Sequence, residues 1–135
     1  MPTAASAALR AAIHDALVAD AALVSMLGGP KIYDEPPRSA ASYIMLGETR
    51  IADFSTGSEP AEEHQLMLHA WSRQGGHKEA HLIAGALLQA LDDAPLTLTD
   101  HTLVNLRFAV ADIRREADGR TYHAAVRFRA VTEPA

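Results

Sequence analysis

The sequence has no cysteine, which removes disulfides, thiolate nucleophiles and thiolate zinc sites together and fits synthesis in a reducing cytoplasm. Aromatic residues are scarce, at 5% of 135 positions, so few rings are available on which bases or sugars could stack. Residues Met1 to Ala12 lack the basic start and apolar run of a signal peptide, and no apolar stretch approaches the roughly 20 residues of a membrane span. No membrane association is expected. An excess of positive charge is missing as well. The formal charge of -5 and a pI near 5.7 make the molecule as a whole repel phosphates, which disfavours a DNA-binding module.

What is present is aliphatic: 48% of residues are hydrophobic, mostly alanine and leucine, which implies a core of helices packed on a sheet. A chain of this length buries roughly two thirds of its unfolded surface, enough to fold as one domain over residues 1–135 without a metal or disulfide.

Thr3 and Ser6 are expected N-caps of a first helix, in which Leu9, Ile13 and Leu17 recur every four residues beside Ala5, Ala12 and Ala16. Arg10, His14 and Asp15 lie off that stripe. Asp20 caps a short continuation carrying Leu23, Val24 and Leu27, which Gly28, Gly29 and Pro30 end. Ile32 and Tyr33 read as a short strand, Pro36 and Pro37 as a break, and Tyr43 to Leu46 as a second strand. From Glu48 to Glu63 the residues are polar and turn-forming, including Asp53, Ser55, Thr56, Gly57, Ser58 and Pro60. The expectation is a long loop that is mobile or meets a partner.

His64 to Ser72 alternates, with Leu66, Leu68 and Ala70 on one face and Gln65, Met67, His69 and Trp71 on the other. After Gly75 and Gly76, a helix from about His77 to Asp92 presents Ala80, Ile83, Ala84, Leu87, Leu88 and Leu91 on a broad apolar face. Leu96 and Leu98 flank Thr97, and Asp100 with His101 turns the chain into a long strand, Thr102 to Arg115. Asp118 and Gly119 form a hairpin turn, and Arg120 to Thr132 returns with Tyr122, Ala124, Val126, Phe128 and Ala130 on one side. The order of elements predicts an α+β fold: a mainly antiparallel sheet with helices packed on one face, a two-layer sandwich.

Catalytic constellations are weak. His77 and His81 share a helix face, but Lys78 stands where a metalloprotease motif has Glu and no third ligand is dictated, so the pair reads as a solvated helix start. Glu62 with Glu63, and Asp92 with Asp93, are adjacent and point apart instead of converging as an acid and a base. No serine lies in a nucleophile elbow and no glycine-rich phosphate loop occurs. No catalytic residue, metal site or cofactor follows. Arg107, Arg127 and Arg129 punctuate apolar strands and align on one face of the last hairpin. They fit either a solvated sheet face with aliphatic stems covering neighbours or charged contacts with another subunit.

Several segments in order resemble a family of small proteins from the tail modules of long-tailed phages and gene transfer agents. They are Ala8-Leu9-Arg10-Ala11-Ala12-Ile13, Lys31-Ile32-Tyr33-Asp34-Glu35-Pro36-Pro37, Tyr43-Ile44-Met45-Leu46-Gly47 and His69-Ala70-Trp71-Ser72-Arg73. Leu103-Val104-Asn105-Leu106-Arg107-Phe108 and Asp118-Gly119-Arg120-Thr121-Tyr122-His123 complete the set. The sequence is most similar to the tail terminators, or tail completion proteins, of alphaproteobacterial gene transfer agents.

That resemblance implies a homo-oligomer, a hexameric ring that caps the tail tube, ends its polymerisation and joins it to the neck. The implied partners are the tail tube protein and a neck or stopper protein. Packaged DNA would cross the lumen without sequence-specific binding. The implied location is the cytoplasm of the producing bacterium and then the tail–neck junction of a phage-like particle. The family carries no catalytic residue. Residues expected at subunit interfaces are Arg107, Arg127 and Arg129, with Asp53, Phe54 and Glu59 from the polar stretch and Trp71 from the third strand. Composition does not separate this reading from another head–tail connector, such as a head closure protein. A small ligand-binding or enzymatic domain would instead show a deep pocket with convergent polar groups.

Overall fold

A computed structural model describes residues 4–35, 42–73 and 76–135. The expectations at Thr3, Pro36, Pro37 and Gly75 lie outside the described residues. Helix α1 spans Ala5–Val18 and buries Ala5, Leu9, Ile13 and Leu17 of the predicted stripe together with Ala8, while Ala12 and Ala16 are partly buried. Ser6 is not its cap: Ala4 holds the extended N-cap position, without a side-chain hydrogen bond. Asp20 does cap α2, Ala21–Leu27, accepting from the N–H of Leu23 at 2.9 Å. Gly28 ends α2 at φ 74°, a left-handed conformation that strains a side-chain-bearing residue.

The five strands are β1 Ile32–Tyr33, β2 Ser42–Asp53, β3 Glu62–Ser72, β4 His101–Arg115 and β5 Tyr122–Pro134, ordered β1-β2-β3-β5-β4. All neighbours pair antiparallel except β1 with β2. Helix α3, Gly76–Leu91, crosses between β3 and β4 and buries Ala80, Ile83, Ala84, Leu87 and Leu91.

Helices and sheet meet on one face. Ile44, Leu46, Leu66, Leu68, Ala70, Ala124, Val126, Phe128 and Ala130 project from the strands into the same core as Leu9, Leu17, Leu23, Ile83 and Leu87. The sheet's other face has no covering layer among the described residues. This is the expected α+β two-layer sandwich. Full burial of each large aliphatic side chain stabilises it by about 1.5 to 3 kcal/mol. Polar groups lock the layers too: Glu79 of α3 accepts from the hydroxyls of Ser42 and Ser72 on neighbouring strands.

The expected long loop from Glu48 to Glu63 is corrected. Residues 48–53 continue β2, Glu62 and Glu63 begin β3, and the turn between occupies only 54–61. A register shift between Leu46 and Thr49 lets β2 pass from core to solvent while its ladder continues, Arg50 opposite Gln65 and Asp53 opposite Glu62. A paired backbone satisfies its own polar groups, so a strand that buries no apolar side chain can persist as the outer part of a hairpin. Within the turn, Thr56 and Glu59 exchange backbone and side-chain hydrogen bonds, and Ser55 bonds Ala61.

Candidate functional site

The uncovered sheet face gathers most of the sequence-predicted interface residues. Arg129 lies opposite both Gln65 of β3 and Arg107 of β4. Two arginines directly opposed across a ladder repel, and each is relieved by its own carboxylate. Arg129 Nε donates to Glu63 Oε2 at 2.7 Å, and Arg107 Nε donates to Asp92 Oδ1 at 3.1 Å. Those contacts depress both acids: the Arg129 hydrogen bond holds Glu63 below the usual carboxylate range, while at Asp92 the larger cause is the backbone N–H of Phe108.

Phe54 lies at the beginning of the hairpin turn and sets its ring 5.2 Å from the Arg129 guanidinium carbon. The structure thus brings together Phe54, Arg129 and Glu63. Arg127 sits two residues further back on the same face, opposite Met67, with Nη1 3.5 Å from Gln65 Oε1. Arg107 is aligned with Arg129 but its guanidinium turns to the sheet edge. Asp53 and Glu59 stay on the exposed hairpin end. Ser55 donates to Asp53 through its hydroxyl at 2.6 Å and its N–H at 3.2 Å, which lowers the Asp53 pKa. They bound a turn and contact none of the three arginines.

Trp71 lies at the other end of the face, in a cluster the sequence did not reveal. Its ring stacks on His123 at 4.0 Å and 4°, with Tyr43 6.4 Å away on β2. His123 Nε2 lies 2.7 Å from His69 Nδ1. Glu48 stands 3.3 Å from His69 Nε2, and Glu116 3.2 Å from His123 Nδ1. The result is a row of carboxylate, two imidazoles and carboxylate across β2, β3 and β5. Burial pushes the His123 imidazole below its ordinary value, His69 adding to the shift and Glu116 opposing it. The alternation of β3 already places His69 and Trp71 on one face. Recognising the cluster also requires knowing that β3 lies beside β5.

His77 and His81 have ring centroids 6.3 Å apart, and His77 packs on Tyr122 at 4.2 Å. Among the described residues no group of three or more His, Asp or Glu side chains is arranged to hold a metal. None of the described helices is long and apolar enough to cross a membrane. What the surface offers is a long face between two sheet edges that carries paired charged groups.

A family model for the tail completion protein gp17 matches residues 11–133. The chain belongs to the tail completion gp17 family. This chain is a structural virion protein and not an enzyme. Among nineteen chains of solved structures that match is one from the virion of a native gene transfer agent particle. It is 32% identical, the match covers 96% of this chain and 98% of that one, and the TM-score is 0.88. No curated protein sequence matches. Membership in the tail completion family and the match to a virion chain assign this chain to a phage-like particle. The uncovered face is therefore a surface carried by an assembly component.

Proposed function

We propose that this chain is a tail terminator: a single domain that forms a homo-hexameric ring at the head-proximal end of a phage-like tail tube. The ring ends tube polymerisation and joins the tube to the neck. The observation that carries the proposal is the full-length similarity to a chain of the gene transfer agent virion, which leaves almost no residue of either chain unmatched. The tail tube protein and a neck or stopper protein are the ring's partners, and DNA passes through its lumen without sequence readout. The subunit is made in the bacterial cytoplasm and ends in the particle.

A cyclic ring needs two different surfaces on each subunit that fit each other at a fixed rotation. The sheet supports this with two unlike edges. A net charge of -5 also suits a conduit, because a lumen that attracts phosphates strongly would retain what it should pass.

Light scattering on the purified chain, combined with particle images, tests the proposal. The expected result is a closed ring with six times the 14.5 kDa mass of one subunit. A monomer at every concentration, with or without tube subunits, contradicts it.

A further inference from the structure

Each outer edge of the sheet is closed along part of its length by backbone and side-chain hydrogen bonds and bare along the rest. On β2, pairing with β1 covers Ile44 and Met45, and the Arg10 guanidinium then donates to the carbonyls of Leu46 at 3.2 Å and Gly47 at 2.7 Å. On β4, Asp93 N–H donates to the Leu106 carbonyl at 2.7 Å, and Asp92 Oδ1 accepts from Phe108 N–H at 2.9 Å. Beyond these contacts, no strand among the described residues pairs with the outward side of residues 48–53 of β2 or 109–115 of β4.

Bare edges are templates for strand addition and are ordinarily blunted. These two instead expose apolar side chains: Ile51 is 48% exposed on β2 and Val110 is 45% exposed on β4. They also carry opposite charge. Residues 48–53 hold Glu48 and Asp53 against Arg50, with Glu59 in the turn that follows, whereas residues 109–115 hold Arg114 and Arg115 against Asp112. Direction agrees too. Because β2, β3, β5 and β4 alternate, β2 and β4 run opposite ways, and a copy placed beside the first presents its β2 antiparallel to the first copy's β4.

We infer that residues 109–115 of β4 in one subunit take residues 48–53 of β2 from the next copy as an added antiparallel strand. The inference rests on the ring proposed above and names the contact through which that ring closes. Main-chain hydrogen bonds supply the pairing, and the acidic hairpin against the basic strand sets its polarity. The joined edges are different surfaces, so the contact is head-to-tail and propagates around a ring instead of stopping at a dimer. The bare segments lie at opposite ends of the sheet. Joining them therefore tilts the strands against the ring axis, as stagger and tilt are linked in closed sheets.

A chain without cysteine makes the test clean. Ala52→Cys is combined in turn with Val110→Cys, Asp112→Cys and Arg114→Cys, all exposed positions on the uncovered face of the sheet. Each double variant is checked for the wild-type melting midpoint, oxidised and run on a non-reducing gel, with light scattering in parallel. The expected result is a covalent ladder in steps of one subunit for at least one pairing. A mixture of the two single variants should give only a covalent dimer. Rings without a ladder at any pairing overturn the edge contact and leave the ring standing. A ladder without rings removes the ring and keeps the contact, whereas neither product removes both. Covalent dimers of a single variant alone overturn the head-to-tail contact, since they require an edge to meet itself.

Discussion

Nδ1 of His69 and Nε2 of His123 lie 2.7 Å apart across neighbouring strands, 54 residues apart in sequence, a hydrogen bond between two imidazoles. Trp71 stacks on His123, and Glu48 and Glu116 stand at the two ends of the pair. Burial lowers the His123 pKa and also that of His64, which is fully buried with Nε2 2.9 Å from the Thr132 hydroxyl. A histidine whose folded pKa lies below its unfolded value contributes stability that is fully present above about pH 6.5 and drains as pH falls through the folded value. The melting midpoint is expected to drop between about pH 7 and pH 5, above the range where carboxylates protonate. His123→Asn should make that slope shallower. A midpoint that is flat or rises over this window contradicts the assignment.

Gly47 is expected to resist any side chain. A Cβ there would lie 2.7 Å from the His69 ring and 2.9 Å from the Met67 carbonyl oxygen. The carbonyl belongs to a paired strand, and the ring is held by His123 and Glu48. Gly47→Ala should therefore cost about 1 to 3 kcal/mol as overpacking. Gly85 of α3 has open space around its Cβ position, and Gly85→Ala should stabilise by roughly 0.5 to 1 kcal/mol through helix propensity. Urea unfolding of the two variants gives opposite signs if this packing is right. Equal midpoints for both show that Gly47 has room.

Leu87 is fully buried between α3 and the sheet. Leu87→Ala is expected to cost about 2 to 5 kcal/mol as a cavity. An unchanged midpoint in thermal or chemical unfolding would remove this face from the core.

The layers were legible in the sequence because periodicity reports burial directly. Leu9, Ile13 and Leu17 repeat at helical spacing, and Leu66, Leu68 and Ala70 alternate, so both α1 and β3 follow from the pattern. The Asp20 cap was legible too, since its side chain acts within its own turn. The outer half of β2 was not: Glu48 to Asp53 faces solvent, and its strand state depends on a ladder to β3 that leaves no apolar signature. The same reason hid the His69–His123 pair and the Arg10 and Asp92 edge contacts. Each requires knowing which strand neighbours which. Of the expected interface residues, Phe54 and Arg129 meet, whereas Trp71 lies at the far end of the face with a different set of neighbours.

The Arg107 side chain is 62% exposed, opposite Arg129 and beside the bare end of β4. Its pair with Asp92 is screened by solvent, so Arg107→Glu should leave the melting midpoint of the isolated subunit near that of wild type. Assembly should respond differently, because the added negative charge would face an acidic hairpin. Sedimentation at matched concentrations is expected to show a reduced ring fraction, more strongly at low salt. An unchanged ring fraction excludes Arg107 from the subunit contact.

The terminator function itself is tested most directly by deleting the gene in the particle-producing strain and imaging what is made. Capsids and tube subunits should still form, because the proposed role is confined to the junction between them. Tails should be overlong or unattached to heads, and the wild-type gene supplied in trans should restore tails of defined length. Particles with normal tails joined to heads in the deletion strain would contradict the account.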